Sequence, residues 1–132
     1  MNQEKFEYIK NWLYRAREDL AVLKDLQNSN PTGFTSSICF HAQQSVEKYL
    51  KAFLAYHDFD FPRTHDVDYL LIECQKIDDE SLNIDLKSLT EFGVSIRYPD
   101  DFYVPTPEES SEYVEIAITI SEIIEKLITI PE

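Results

Sequence analysis

The chain has little glycine, little cysteine and no long apolar run, and each shortage excludes a class of protein. Only 2 of the 132 residues are Gly, too few for a collagen-like repeat or for most loop-rich β scaffolds. Two cysteines, Cys39 and Cys74, cannot make a disulfide framework, and no CxxC pair suggests a zinc site. No stretch of about 18 apolar residues could span a membrane. The first residues also lack the apolar core of a signal peptide, so we expect a cytoplasmic protein.

Basic residues are also scarce: the chain has 12 Lys and Arg against 25 Asp and Glu, a net charge of −13. This balance excludes the broad positive surface of a general DNA-coating protein, but it leaves room for a small basic pocket. The charge is unevenly spread, with 9 basic and 11 acidic residues in 1–77 and 3 basic and 14 acidic residues in 78–132. The acidic half is either an ordinary solvated surface or a face for a basic partner.

The length and the apolar spacing predict one helical domain over residues 1–132. Apolar residues recur at intervals of three and four, which predicts helices over about 3–26, 35–57, 66–76 and 84–96. A last helix has the clearest start, because Thr106-Pro107-Glu108-Glu109 combines a capping Thr, a Pro at the first helical position and a Glu at the third. Thr64 is expected to cap the third helix. The predicted fold is therefore all-α, a small bundle of about five helices in which two long helices near the start are packed by one at the end.

The usual sequence signals of catalysis, metal binding and nucleotide binding are missing. The chain contains no GxGxxG, no GxxxxGK[ST], no HExxH and no GxSxG. His41 and His57 are sixteen residues apart and His65 falls in a loop. No two histidines are therefore spaced one helical turn apart, as a pair of metal ligands on one helix would be. Asp100 and Asp101 are adjacent carboxylates in a predicted turn, where solvation is the usual outcome. We expect neither a metal nor a cofactor.

The second predicted helix has a polar face that suggests a binding site. Gln44, Lys48 and Lys51 lie on this face, and three residues in loops or at helix ends, Arg63, His65 and Arg97, could converge on it. Lysine and arginine suit phosphate, glutamine can bind a base edge or a ribose hydroxyl, and Tyr98 could stack on a base. The alternative is ordinary pairing: Glu47 with Lys51, Arg63 with Asp66 or Asp68, and Arg97 with Asp100 or Asp101.

Four stretches resemble the HEPN domain family, named for higher eukaryotes and prokaryotes nucleotide-binding domains. They are HAQQSVEKYLKAFL from residue 41, PRTHDVDYLL from residue 62, IRYPDD from residue 96 and NWLYRAREDLAVL from residue 11. The resemblance covers about residues 4–128. It implies an all-α up-and-down bundle, usually a homodimer, that binds a nucleotide or RNA. It also implies a protein partner, a minimal nucleotidyltransferase that many members accompany as its substrate-binding subunit.

The resemblance also implies where a ribonuclease site would lie, and the chain departs from it there. Family members that are metal-independent ribonucleases, often toxins, use an Arg followed four to six residues later by a His. After Arg97, Phe102 occupies the His position of the Arg-x4-His-x-Tyr pattern, Val104 occupies the Tyr position, and Tyr103 is one place out of register. A phenyl ring cannot transfer a proton, so general acid–base catalysis is lost at that position.

The primary prediction is therefore a non-catalytic HEPN protein that binds a nucleotide or nucleic-acid end, docks a nucleotidyltransferase, or does both. The predicted binding residues are Gln44, Lys48, Lys51, Arg63, His65, Arg97 and Tyr98. The first alternative is a divergent ribonuclease, the toxin of a toxin–antitoxin pair, in which Arg97 stabilises charge and His65 replaces the missing His. The second alternative is a purely structural oligomerisation module. The sequence leaves the nucleotide, the partner and the dimer interface open.

Overall fold

The computed structural model describes residues 1–93 and 103–130, and this part of the chain is all-α. It contains four α-helices, α1 (Gln3–Ser29), α2 (Thr35–Tyr56), α3 (Val67–Ile77) and α4 (Pro107–Leu127), with a short 3₁₀ helix (Leu89–Phe92) between α3 and α4. Neither described segment contains a strand. None of these helices combines the length and the apolar content needed to cross a lipid bilayer. The predicted all-α fold class is confirmed.

Helix α2 is the centre of the bundle, because α1, α3, α4 and the 3₁₀ helix all pack against it. The apolar stripe of α2 is buried along its whole length and comprises Cys39, Ala42, Val46, Tyr49, Leu50 and Phe53. Each fully buried side chain of Val to Phe size stabilises the fold by about 1.5–3 kcal/mol relative to exposure. The opposite arc of α2 carries its polar side chains. One rigid helix therefore positions both the core residues and the candidate site.

Helix α3 begins one residue later than predicted and has a different cap. Asp66 is its N-cap, with a carboxylate oxygen that accepts a hydrogen bond from the backbone N–H of Tyr69 at 3.1 Å. The Thr64 hydroxyl instead accepts from the N–H of Asp66 at 3.0 Å. The prediction of Thr64 as the cap is therefore wrong: Asp66 directly precedes the first helical residue, and Thr64 holds the turn before it.

The predicted helix over 84–96 is wrong for the described residues 84–93. Residues 83–86 have no regular structure, and only Leu89–Phe92 form a turn of 3₁₀ helix. Lys87 has a left-handed backbone with φ of 54°, a conformation that interrupts an α-helix. Residues 94–96, and the turn predicted around 97–101 with Asp100 and Asp101, lie outside the described residues.

The start of α4 is confirmed as a capping box. The Thr106 hydroxyl accepts from the backbone N–H of Glu109 at 3.1 Å, and the Glu109 carboxylate accepts from the N–H of Thr106 at 3.3 Å. Pro107 is the first helical residue, where its lack of an N–H costs nothing. This start directs the apolar side of α4, including Val114, Ala117 and Ile124, onto α2.

Candidate ligand-binding site on helix α2

Asp19 of α1 is a buried carboxylate that holds two side chains of α2. Its Oδ1 lies 2.9 Å from Nδ1 of His41, and its Oδ2 lies 2.5 Å from Nζ of Lys48. Burial alone would raise the pKa of the Asp19 carboxyl, but the hydrogen bonds from His41 and Lys48 outweigh burial and lower it. An ionised carboxylate only accepts hydrogen bonds, so Nδ1 of His41 must carry the proton that it shares with Asp19. The free edge of the imidazole is then Nε2.

Glu47, which lies on α2 itself, makes a similar arrangement with one lysine and one histidine. Its Oε2 lies 3.0 Å from Nζ of Lys51, and its Oε1 lies 3.0 Å from Nδ1 of His65. Lys51 is only 5% exposed, and its Nζ lies 5.2 Å from the ring centre of Trp12 and 5.8 Å from that of Phe61. The ammonium group is thus enclosed by one carboxylate and two aromatic rings.

Two glutamine amides connect the Glu47 group to the surface. Nε2 of Gln43 donates to the backbone carbonyl of His65 at 2.8 Å and to Oε1 of Glu47 at 3.3 Å. Nε2 of Gln44 in turn donates to Oε1 of Gln43 at 2.8 Å. These bonds fix the orientation of both amides, and no described residue donates to the carbonyl oxygen of Gln44, which is left to bind a ligand. Gly93 lies against Gln43, where a Cβ atom would come within 3.1 Å of Nε2.

The structure brings three of the predicted site residues, Gln44, Lys48 and His65, to one face of the bundle. Together with His41 they form what we call the polar strip. Arg63 is exposed, two residues before His65, and it has no ion pair with Asp66, Asp68 or any other described residue. Lys51 shares this helix face but is buried, so the predicted pairing with Glu47 exists below the surface. Arg97 and Tyr98 lie outside the described residues.

Sequence reasoning missed the two carboxylates that organise this face. Asp19 occupies a position of the apolar stripe of α1, three residues after Ala16 and four before Leu23, and all three are buried. An acidic residue in an apolar stripe is a signal that a buried partner must exist. A helical projection puts Glu47 at the edge of the polar face of α2, yet Glu47 is 3% exposed.

A third ionic group joins α1, α2 and α4 outside the polar strip. The Arg17 guanidinium donates two hydrogen bonds of 2.7 Å to Glu125, and the Tyr49 hydroxyl donates to the same carboxylate at 2.9 Å. The hydrogen bond from Arg17 lowers the pKa of Glu125 against the opposing effect of burial. Burial raises the pKa of Tyr49. This group links the first and last helices through the middle of α2.

The lowered pKa values of Asp19 and Glu125 predict an acid-sensitive fold. Their ordinary values are 3.8 and 4.5, and the folded values lie below these. The stabilisation is therefore complete above about pH 5 and is lost as the pH falls through the folded pKa values. Urea denaturation at pH 7, 5, 4 and 3 should show the free energy of unfolding falling most steeply in the acid steps. Asp19→Asn with Glu125→Gln should flatten this fall, and an equally steep fall in that double variant would contradict the prediction.

Fold and site together define a class of protein: an all-α bundle whose central helix carries polar groups positioned by buried carboxylates. The HEPN domain family model matches residues 9–127, which is most of the chain. The protein therefore belongs to the HEPN domain family, and the resemblance in the sequence is confirmed.

Two relatives extend this comparison. The chain is 33% identical over 135 aligned residues to the protein named "Putative toxin MJ1304" from Methanocaldococcus jannaschii, a match that covers 89% of this chain and 86% of the relative. It also matches the crystal structure described as ST0689, an archaeal HEPN homologue. The TM-score is 0.64 and the identity 22%, and the match covers 92% of this chain and 98% of that one. The structural match supports the fold alone.

Proposed function

We propose that this HEPN protein binds a nucleotide or a nucleic-acid end along the polar strip and does no chemistry on it. The observation that supports this best is the way the buried carboxylates hold the strip. Asp19 fixes Lys48 and His41, and the chain of amides from Glu47 fixes Gln44. Side chains that are already ordered lose little conformational freedom when a ligand binds. Lys48 retains N–H groups for phosphate, and Gln44 offers an acceptor for a base edge or a ribose hydroxyl.

The protein partner in this proposal is a minimal nucleotidyltransferase, which acts on the bound end. The exposed side of α4 carries Glu108, Glu112, Glu115 and Glu122, a surface whose charge suits a basic partner better than free RNA. The proposal includes a homodimer and a reducing, cytoplasmic setting. The two cysteines are unpaired and buried, which is compatible with such a compartment.

Binding is tested by isothermal titration calorimetry with ATP, with AMP and with a short single-stranded RNA bearing a terminal phosphate. Lys48→Ala and Gln44→Ala should each weaken binding of the preferred ligand about tenfold, the effect of losing one hydrogen bond of about 1.4 kcal/mol. Lys126→Ala is the matched control, because Lys126 is an exposed cation on α4, away from the strip. Equal affinity in all three variants, or no binding by the wild-type protein, would contradict the proposal.

A second candidate function is a metal-independent ribonuclease that acts as a toxin. The relative from Methanocaldococcus bears the name of a toxin, and Glu47 holds Nδ1 of His65 while 69% of the His65 side chain stays exposed. A buried carboxylate that orients an accessible imidazole is a common arrangement for proton transfer. In this function His65 transfers the proton in place of the missing histidine, and Arg97 stabilises charge on the phosphate. Cleavage of RNA that Arg97→Ala abolishes would support it.

A further inference from the structure

Helix α3 has an exposed isoleucine at its midpoint. Ile72 is 53% exposed, and Ile77 at the end of the same helix is 40% exposed. Within the described helices these two are the only large aliphatic side chains that are exposed. The opposite side of α3 is buried in the bundle through Val67, Leu70, Leu71 and Cys74. One exposed isoleucine is common on a protein surface, so the residues that flank Ile72 decide what it indicates.

Two opposite charges flank Ile72 at equal distances along the helix. Asp68 lies four residues before it and Lys76 four residues after it, and both are exposed. Residues four apart lie on the same side of an α-helix, so the three side chains form one row. We call Asp68, Ile72 and Lys76 the α3 row. The row has an acidic end, an apolar centre and a basic end, so it is complementary to its own reverse.

Asp68 has no cation beside it within its own chain. No described basic residue forms an ion pair with it. Partial burial raises the pKa of the Asp68 carboxyl, and the like charges of Asp66 and Asp85 raise it further. A positive charge brought to this position from outside the chain would therefore be favourable.

Lys76 can supply such a charge to another molecule. Its Nζ lies 2.9 Å from a carboxylate oxygen of Glu73, while 66% of the Lys76 side chain stays exposed. An ammonium group has three N–H donors, so the pair with Glu73 leaves donors for a second carboxylate.

We infer that the α3 row is the contact between two copies of this chain, which pair antiparallel about a two-fold axis at Ile72. This inference rests on the homodimer of the proposed function and assigns its interface. A two-fold axis brings residue i of one copy against residue j of the other, and j against i. Asp68 of each protomer then meets the partner's Lys76, and the two Ile72 side chains meet at the centre.

Other exposed helix faces suit a second copy less well. The net charge of −13 opposes self-association through most of the surface. The exposed side of α4 is the clearest case, because Glu108, Glu112 and Glu115 would face glutamates of the partner. Like charges brought together across an interface disfavour the contact. The α3 row brings opposite charges together instead.

The small size of the contact makes this a weak dimer. Helix α3 has 11 residues, and a helix of that length is about 16 Å long. One pair of such helices buries less than the roughly 1,200 Å² at which stable interfaces begin. Dilute samples are therefore monomeric, and the folding stability measured in them does not depend on the contact.

The experiment is sedimentation equilibrium of the full chain at rising concentration. Asp68→Lys makes both ends of the row basic, and Lys76→Asp makes both ends acidic. Each variant alone should weaken dimerisation at least about tenfold, because like charges then face each other at two places. Mixed in equal amounts, the two variants should form a heterodimer about as tight as the wild-type dimer. Energy transfer between dyes attached to the two N-termini measures the heterodimer.

Two further variants test the apolar centre of the row. Ile72→Glu places two carboxylates at the axis and should weaken the dimer at least as much as Asp68→Lys. Tyr14→Glu is the matched control, because Tyr14 is an apolar residue that is 67% exposed on α1, and this variant should dimerise like the wild type. Thermal melting verifies that all variants are folded.

The possible results separate the interface from the homodimer itself. If a wild-type dimer persists unchanged in the α3 variants, or if mixing the two charge variants restores nothing, the inference is overturned and the homodimer uses another surface. If the wild type is monomeric at every concentration, the inference and the homodimer are both overturned. Nucleotide binding along the polar strip is measured separately by calorimetry, and neither result affects it.

Discussion

Glu47→Ala should lower the free energy of unfolding by about 3–5 kcal/mol. The substitution leaves the ammonium group of Lys51, which is 5% exposed, without its only carboxylate partner among the described residues. An unpaired buried charge is among the most destabilising single changes in a folded protein. His65 and Gln43 also lose an acceptor, so the loop before α3 should loosen. Urea denaturation at pH 7, followed by circular dichroism at 222 nm, measures the effect.

A double variant separates the unpaired charge from the lost side chain. Glu47→Leu with Lys51→Leu removes both charges and keeps apolar volume, so it should be clearly more stable than Glu47→Ala. Lys76→Ala removes an exposed cation from its pair with the partly buried Glu73 and should change stability by less than about 1 kcal/mol. The prediction fails if Glu47→Ala is no more damaging than Lys76→Ala.

Phe53→Ala should lower the free energy of unfolding by about 3–5 kcal/mol, because it opens a cavity in the core. Phe53 is 1% exposed on α2, and its ring meets the edge of His57 with 4.5 Å between ring centres. Phe53→Leu retains most of the volume and should cost much less. Thermal and urea unfolding of the two variants measure the difference.

The matched control for this loss is an aromatic residue on the surface. Tyr14 is 67% exposed on α1, so Tyr14→Ala removes a ring of similar size without opening a cavity. Its effect should stay within about 0.5 kcal/mol of zero. A loss in Phe53→Ala as small as in Tyr14→Ala would show that α2 is not the packing centre of the bundle.

The helices that the sequence predicts well are those in which local and tertiary signals agree. The stripe of α2 and the Thr106 cap of α4 each specify a helix by themselves, and the structure confirms both. The segment 84–93 shows the opposite case. Leu82, Leu86 and Leu89 are buried at helical spacing, yet the left-handed backbone at Lys87 breaks the helix between them. Apolar spacing shows which side chains are buried but does not prove that the backbone between them is helical.

The sequence predicts which face of α2 carries the candidate site, but not how far each of its side chains is buried. A helical projection places Gln44, Lys48 and Lys51 on one arc of α2, as observed. It cannot show that Trp12 and Phe61, from other parts of the chain, cover Lys51 and leave Lys48 accessible. That difference depends on which element packs above each turn, which is a tertiary property. The pairing of Asp19 with His41 and Lys48 spans two helices and was hidden for the same reason.

The central position of α2 has a consequence for local opening of the backbone. A helix on the outside of a bundle can detach while the rest stays folded, so its amide hydrogens exchange with solvent deuterium through small openings. Helix α2 is packed against α1, α3, α4 and the 3₁₀ helix, so most of its amides become accessible only when the whole domain unfolds. Deuterium uptake should therefore be slowest in the middle of α2. Its rate there should report the global stability of the protein, while the ends of α1 and α4 label early.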